Sequence, residues 1–407
     1  MRGASDVVGV SPPPTLELYG SVLSPFSVKV ARLCEHAAIP YRWSPAQTSV
    51  RAGLEVQLRR WALTRGLRPA THPRPGLFDE HPLVPFLFGP DGLSLWDSSA
   101  IGRWLDRRGA PGLLPADRLG RFVCGLVDEA IDEIGLYLLH HERWVGSARR
   151  TVALEHLRDE FAPLLTAPVA RPATRAFGRR QVRRLPYLFS VAPPGYAIAG
   201  LDARMQPPAR AGFPPTHALL ERLFDELLDA AEHVLGARPH LLGDAPTLAD
   251  ASLHGMLASM CRLDPDAEAR IRRRAPTVRA WVDRPAARPR RVPAAVDAAL
   301  EPLLAWVGRA FVPLMRANEA AFRRCCARGQ RTFDEAAFDA GEALFDGELA
   351  GAPYRTVVKT FQVKVWRRLA AEHASLEDDD RRSLARRAPG LGLERLGGGR
   401  TPRPASS

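Results

Sequence analysis

The sequence has little cysteine: five residues among 407, an odd number, with no Cys-x-x-Cys spacing. This excludes a disulfide framework and favours a reduced compartment. The sequence also has no uninterrupted apolar run of the roughly 18 residues that a membrane helix needs. Its first residues lack the apolar core of a secretion signal. We therefore expect a cytoplasmic protein without a membrane partner.

Lysine is almost absent: Lys29, Lys359 and Lys364 are the only lysines among 57 basic residues, so that 54 are arginine. Against 45 acidic residues the formal net charge is +12, and a basic chain can attract nucleic acid. Arginine bias with abundant alanine and proline is also typical of a G+C-rich coding genome. The arginines concentrate in 166–215 and 270–291, where prolines are common and aromatic residues few. Because this differs from a base-stacking surface, no nucleic acid partner is expected.

Hydrophobic residues make up 46% and charged residues 25% of the sequence, as in ordinary globular proteins, and the length allows two or three packed units. A Pro-rich, flexible N-terminus is expected over residues 1–15. Strand and helix signals then alternate over residues 16–108: Ser24-Pro25 is typical of a helix start, and Gly89 to Gly92 predict a hairpin. The pattern predicts a small α/β domain.

Strand signals mostly disappear further along the chain. Residues 116–289 predict an all-helical domain with a Pro/Arg-rich insertion at 166–215, where we expect only a short helix near 177–184. Residues 290–385 predict a helical extension, with helices at roughly 296–327, 333–344 and 356–374. The composition of residues 386–407 predicts a disordered tail.

Four stretches, in this order, carry a resemblance to a known family. They are Leu18–Val30 (LYGSVLSPFSVKV), Leu83–Leu87 (LVPFL), Leu95–Ile101 (LWDSSAI) and Leu241–Leu253 (LLGDAPTLADASL). Together they resemble the cytosolic glutathione transferase family, in a serine-type, bacterial form with a C-terminal helical extension. The resemblance covers roughly residues 16–285. It implies a thioredoxin-like, glutathione-binding domain at 16–108, followed by an all-α C-terminal domain.

The resemblance also implies roles for particular residues near the first two stretches. Ser24 occupies the position whose hydroxyl hydrogen-bonds the sulfur of glutathione, although it also fits an ordinary helix cap. Tyr19 is the alternative, because some members use a tyrosine near the first strand. Val84-Pro85 is the position where a cis proline exposes backbone groups that pair with the cysteinyl residue of glutathione.

The other two stretches supply a binding pair and a structural pair. The resemblance places the γ-glutamyl carboxylate of glutathione at Ser98 and its ammonium at Asp97, at a predicted helix start; an ordinary cap is again the alternative. Thr247 and Asp250 form a capping-box pattern with a structural role, worth about 1 kcal/mol.

The resemblance thus implies a transferase that conjugates the thiolate of glutathione to an unknown hydrophobic electrophile. Glutathione would be a co-substrate, with no metal and no bound cofactor, and a homodimer is left open. No basic residue maps onto the position that holds the glycyl carboxylate: Arg42, Arg51, Arg59 and Arg60 are candidates without a register. This gap supports the alternative of a non-catalytic interaction or glutathione-sensing scaffold.

Overall fold

The computed structural model describes residues 16–47, 50–65, 67, 84–90, 92–108 and 112–393. The predicted flexible segment 1–15 lies outside these residues. The N-terminal domain consists of β1 (Leu16–Tyr19), α1 (Pro25–Ala37), β2 (Tyr41–Ser44), α2 (Val50–Thr64), β3 (Phe86–Phe88), β4 (Ser94–Trp96) and α3 (Ser98–Arg108). Its sheet has the order β2-β1-β3-β4, with β1 and β2 parallel and the other pairs antiparallel. The predicted thioredoxin-like domain is confirmed.

The register of this sheet brings three loops to one edge. Tyr19, the last residue of β1, pairs with Phe86, the first residue of β3. Phe86 in turn pairs with Trp96, the last residue of β4. The loop after β1, the residues before β3 and the residue after β4 therefore lie side by side. This edge, which we call the register edge, positions the candidate site.

The second domain is helical, as predicted. It contains α4 (Arg118–His141), α5 (Ala153–Phe161), α6 (Ala167–Arg183), α7 (His217–Ala237), α8 (Leu248–Leu263), α9 (Pro265–Arg274) and α10 (Pro276–Val282). Helix α8 lies at its centre and packs on both α1 and α4. At Gly255 the approach to α1 is so close that a Cβ atom would lie 2.5 Å from the carbonyl oxygen of Pro25. Glycine is therefore required for this contact.

The insertion at 166–215 differs from its prediction. Instead of a short helix near 177–184, α6 runs from Ala167 to Arg183 and contains Pro172. Pro168 falls within the first turn, where a missing N–H costs no helical hydrogen bond, so the prolines did not mark the helix end. Val182 and Leu185 are buried in one cluster with Leu23. The insertion is thus part of the core beside the register edge.

The extension comprises α11 (Glu301–Ala310), α12 (Val312–Ala327), α13 (Glu335–Asp339), β5 (Leu344–Leu349), β6 (Ala352–Val357), α14 (Thr360–Ala374) and α15 (Asp378–Arg387). It is therefore not purely helical, because β5 and β6 form an antiparallel hairpin. The predicted helix at 333–344 is limited to α13. The hairpin turn is Ala350-Gly351, with φ of 50° and 77°, which is the conformation that two-residue hairpin loops favour.

The predicted disordered tail is partly wrong. Residues 386–393 are packed: Pro389–Leu391 forms a short turn, and Leu391 and Leu393 are buried. A Cβ atom at Gly308 would lie 2.1 Å from the carbonyl oxygen of Gly390, so the tail backbone lies directly on α11. Burial of the two leucines stabilises this packing, although the glycine-rich composition of the segment predicted disorder. Residues 394–407 lie outside the described residues.

Among the described residues, one stretch, Ala298–Ala327, is long and apolar enough to cross a membrane by length and composition alone. More than half of its most apolar window, 61%, is buried inside the protein. Trp306 within it is fully buried and donates its indole N–H to the carbonyl oxygen of Leu223 at 3.0 Å. These are properties of a core helix.

Three histidines lie in surroundings that oppose protonation: His36 is buried, and His140 and His254 are half-buried. Burial lowers the pKa of His36 and His140 to about 4 and that of His254 to about 3. Between these values and the ordinary pKa near 6.5, the unfolded chain binds protons that the folded chain does not, so stability falls as the pH falls. Burial raises the pKa of Asp132 and Glu142 to about 7, which offsets part of this effect.

We expect the free energy of unfolding to decrease by about 2 kcal/mol between pH 6.5 and pH 4.5, because one unit of pKa corresponds to about 1.4 kcal/mol. Urea denaturation at the two pH values measures this change in the free energy of unfolding. His254→Gln should reduce the pH dependence, whereas His233→Gln, at an exposed position, should not. Equal stability at both pH values would contradict the prediction.

Candidate functional site

Ser24 lies at the register edge, at the start of α1. Its backbone is extended, Pro25 follows as the first helical residue, and its Oγ accepts a hydrogen bond from the backbone N–H of Ser27 at 3.3 Å. A hydroxyl that accepts in this way still has its proton to donate. The half-buried Ser24 thus combines an available donor with the positive end of a 13-residue helix, and both favour an anion.

Val84 and Pro85 lie at the same edge, immediately before β3. Their peptide bond is cis, as the resemblance implies. Among the described residues, no hydrogen bond occupies the backbone N–H or C=O of Val84. These groups can therefore pair with an extended backbone laid along the edge.

Asp97 follows β4 at the register edge and caps α3. Its backbone has a φ of 65°, a left-handed conformation that aspartate tolerates better than most residues. Its Oδ1 accepts from the backbone N–H of Ala100 at 3.1 Å, and its Oδ2 has no partner among the described residues. Left-handed backbone of this kind is common at functional sites, and the second oxygen can accept from an ammonium group.

Ser98 is buried and has a carboxylate beside it. Its Oγ lies 3.4 Å from Oδ2 of Asp132 on α4, which is at the long limit of a hydrogen bond. The Ser98 hydroxyl therefore has an alternative acceptor within the protein. Sequence reasoning did not identify Asp132 as part of this site.

Asp132 belongs to a buried ionic cluster, also missed from the sequence, that joins α1, α3 and α4. The Lys29 Nζ lies 2.6 Å from Asp128, 2.6 Å from Asp132 and 2.8 Å from the Oγ of Ser99. Lys29 and Asp128 are fully buried. Two signals were available: a lysine in a chain that otherwise uses arginine, and two acids four residues apart on an apolar helix face.

The charges of this cluster perturb each other strongly. Burial alone would lower the pKa of the Lys29 ammonium, but the charges of Asp128 and Asp132 raise it above its ordinary value. Burial likewise opposes ionisation of Asp128, whose pKa Lys29 nevertheless lowers. For Asp132 burial prevails and raises the pKa to about 7. The ammonium and one carboxylate are therefore firmly ionised at neutral pH, and Asp132 is the group that titrates.

The extension reaches the site through α14. The Lys364 ammonium lies 5.4 Å from the ring centre of Trp96, the residue before Asp97. On the same helix, Gln362 donates to the hydroxyl of Tyr137 on α4 at 2.9 Å. Helix α14 thus packs on α4, and its Lys364 lies beside Trp96 at the register edge.

The remaining sequence candidates have structural positions. The Tyr19 hydroxyl is hydrogen-bonded to Gln57 on α2 at 3.0 Å. Thr247 begins α8, and its backbone N–H donates to Asp250 at 2.8 Å while Asp250 also accepts from the backbone N–H of Leu241 at 2.8 Å. This is the capping box that the pattern predicts, and both side chains are buried away from the register edge.

Two of the four arginine candidates for the glycyl carboxylate are engaged with other groups. Arg42 pairs with Glu17 at 2.8 Å, and Arg59 donates to the carbonyl oxygens of Gly89 and Leu93 at 3.3 Å. Arg51 is exposed, and the side chain of Arg60 lies outside the described residues. The basic stretch at 270–291 is also occupied: at least five of its arginines form ion pairs with acidic side chains, namely Arg270, Arg272, Arg274, Arg279 and Arg291.

A cavity of about 560 Å³ lies between α1, β2, α5 and α8. None of the residues predicted to contact glutathione lines it, although Val22, in the loop before Ser24, does. In the part of the chain that the structure describes, no group of three or more His, Cys, Asp or Glu side chains is arranged to hold a metal ion. The polar groups at the register edge are the Ser24 hydroxyl, the backbone groups of Val84 and the carboxylate of Asp97.

A thioredoxin-like sheet with a serine-capped first helix, joined to an all-helical domain, is the two-domain architecture of this chain. Residues 23–108 match the family model described as the glutathione S-transferase N-terminal domain, and residues 195–284 match that of the C-terminal domain. Both the thioredoxin-like domain and the C-terminal half of the helical domain therefore carry the sequence features of the glutathione S-transferase family. No curated protein sequence matches it.

Solved structures with a similar fold include a glutathione S-transferase from Methylobacterium radiotolerans in complex with glutathione sulfonate. It is 20% identical over 66% of this chain and 89% of its own, with a TM-score of 0.33. The β-etherase LigF from Sphingobium sp. is 17% identical over 71% and 98%, with a TM-score of 0.40. Maleylacetoacetate isomerase from Anaeromyxobacter dehalogenans with bound GSH is 21% identical over 65% and 90%, with a TM-score of 0.28.

Proposed function

We propose that this protein binds glutathione along the register edge and transfers its thiolate to a hydrophobic electrophile. The observation that carries the proposal is the alignment of Ser24, Val84-Pro85 and Asp97 at the ends of paired strands. From β1 to β4 the edge spans two strand spacings, roughly 9–10 Å. An extended tripeptide reaches roughly 10 Å, so one glutathione can contact all three positions.

Each part of glutathione then meets a complementary group. The cysteinyl backbone pairs with the unoccupied N–H and C=O of Val84. The γ-glutamyl carboxylate lies at the N-terminus of α3, and its ammonium faces the Oδ2 of Asp97. The sulfur lies at Ser24, at the N-terminus of α1.

The chemistry follows from stabilising the thiolate. A free thiol has a pKa near 8.5, and only the thiolate is a strong nucleophile. A hydrogen bond to an anion contributes about 1.5–3 kcal/mol and a helix N-terminus about 0.3–1 kcal/mol. Since one unit of pKa is about 1.4 kcal/mol, these groups together lower the thiol pKa by about 1.5–3 units. The bound sulfur is then mostly ionised at neutral pH.

One observation favours a second candidate, a scaffold that binds glutathione without turnover. Two of the candidate cations for the glycyl carboxylate, Arg42 and Arg59, are engaged elsewhere. Binding of glutathione without conjugation of any of several electrophiles would support the scaffold. Turnover with any of them would exclude it.

Calorimetric titration of glutathione tests the binding site. Asp97→Asn removes the charge but keeps a side chain that caps the helix and tolerates a positive φ. We expect it to weaken glutathione binding about tenfold, because a charge-assisted hydrogen bond to the ammonium is lost. The matched control is Asp117→Asn, at the aspartate that caps α4 by accepting from Gly120. Equal affinities of Asp97→Asn and the wild type would place the ammonium elsewhere.

A further inference from the structure

The three residues before Ser24 are held by side chains from the other domain. Ser21 donates its hydroxyl to Glu160 on α5 at 2.6 Å, and the backbone N–H of Val22 donates to the second oxygen of the same carboxylate at 2.8 Å. Both oxygens of Glu160 therefore serve as acceptors for the loop between β1 and α1. Glu160 is 8% exposed, so these bonds are shielded from water.

The carbonyl groups of the same loop are held as well. Ser259 on α8 donates its hydroxyl to the carbonyl oxygen of Val22 at 2.7 Å. Arg143, two residues after the end of α4, donates to the carbonyl oxygen of Leu23 at 2.7 Å. Side chains from α5, from α8 and from the turn after α4 thus bind the three consecutive residues that precede Ser24.

Arg143 is itself fixed from every side. Its guanidinium donates to Asp264 at 3.0 Å and to the Oγ of Ser259 at 2.9 Å. Arg143 and Asp264 are buried. Because buried, fully paired networks have few alternative arrangements, Arg143 holds the carbonyl oxygen of Leu23 in one place.

We propose that Glu160, Ser259 and Arg143 are positioning residues that hold the Ser24 hydroxyl at the sulfur of bound glutathione, so that the helical domain sets the acidity of the thiol. This inference rests on the proposed function. A hydrogen bond to a thiolate forms only when the donor lies within a few tenths of an ångström of its ideal position. Ser24 is one peptide unit from Leu23, so fixing the carbonyl oxygen of Leu23 also fixes the Ser24 hydroxyl. None of the three residues needs to touch glutathione.

The test separates positioning from binding. Glu160→Ala removes both acceptors, whereas Glu160→Gln keeps one acceptor for the N–H of Val22. For Glu160→Ala we expect a glutathione affinity within about twofold of the wild type by calorimetry at pH 5.5, where ionisation of the thiol contributes little to binding. We also expect a thiol pKa of bound glutathione about one unit higher by ultraviolet absorbance of the thiolate, and a kcat at neutral pH about tenfold lower. Glu160→Gln should restore most of both values. Asp159→Ala, at the exposed neighbour on α5, is the matched control and should match the wild type.

A milder variant covers the case in which Glu160→Ala does not fold, as judged by its thermal unfolding. Ser259→Ala removes only the bond to the carbonyl oxygen of Val22 and one partner of Arg143, and should raise the thiol pKa with a few-fold loss of kcat. A normal thiol pKa in the folded variants would overturn the inference while leaving glutathione binding established. If the wild type does not bind glutathione, the proposed function and this inference are both wrong.

Discussion

Lys29→Met is expected to lower the free energy of unfolding by about 3–5 kcal/mol, which is the usual cost of removing one partner of a buried ion pair. Methionine fills a similar volume, so the loss comes from the charge. The ammonium of Lys29 lies 2.6 Å from both Asp128 and Asp132, and without it two carboxylates share a buried site. Urea denaturation at pH 7.5, above the pKa of Asp132, measures the effect.

Two further variants identify the cause. Lys364→Met, at a half-buried lysine on α14, should change stability by less than about 1 kcal/mol. Adding Asp128→Asn and Asp132→Asn to Lys29→Met should recover part of the loss, because the uncompensated charges are gone. A loss below about 1 kcal/mol for Lys29→Met would mean that the carboxylates are neutral or hydrated in the variant.

Ser24→Ala is expected to reduce the rate of conjugation by about 10- to 100-fold. Glutathione affinity measured at pH 5.5, where ionisation of the thiol contributes little to binding, should stay within about threefold of the wild type. The reason is that the lost hydrogen bond, about 1.5–3 kcal/mol, acts on the thiolate, while Val84 and Asp97 retain their contacts. Conjugation of an activated aryl halide gives the rate. The pH dependence of kcat/KM gives the thiol pKa, which should rise by about one to two units.

Ser24→Thr is the matched control, because threonine keeps both the cap and the donor. It should retain most of the activity. The alanine variant also loses a helix cap worth about 1 kcal/mol, so its folded fraction is checked by thermal unfolding. An unchanged thiol pKa in folded Ser24→Ala would remove Ser24 from the mechanism.

Local signals explain which parts of the fold could be predicted. Ser24-Pro25, Gly89 to Gly92 and Thr247 to Asp250 are short motifs whose geometry depends on neighbours in the sequence. The hairpin at Leu344–Val357 was not predicted, because it has no such local signal. Its strands are stabilised by cross-strand contacts, and its turn has alanine at a positive φ, where asparagine or glycine is the usual signal.

The candidate site was predicted only in part, because some of its residues belong to local motifs and others are brought together by tertiary packing. Residues at the register edge follow motifs, so Ser24, Val84 and Asp97 could be identified. The groups that surround them are far apart in sequence: Lys29 and Asp132 are separated by 103 residues, and Val22 and Glu160 by 138. Pairing at such distances is decided by packing, and a buried acid or base has no local pattern of its own.

The positioning residues of the Ser24 loop (Glu160, Ser259 and Arg143) are far from that loop in sequence, and this has a consequence for biosynthesis. Ser259 follows Val22 by 237 residues, which corresponds to roughly 10–50 s of synthesis at about 5–20 residues per second. Glu160 follows Val22 by 138 residues, so the loop that carries Ser24 has none of these three partners for about the first half of the interval and lacks Ser259 until its end. With glutathione bound as proposed, the register edge is complete before the groups that position Ser24 have all been made, and the Ser24 loop is the part of the candidate site that is finished last.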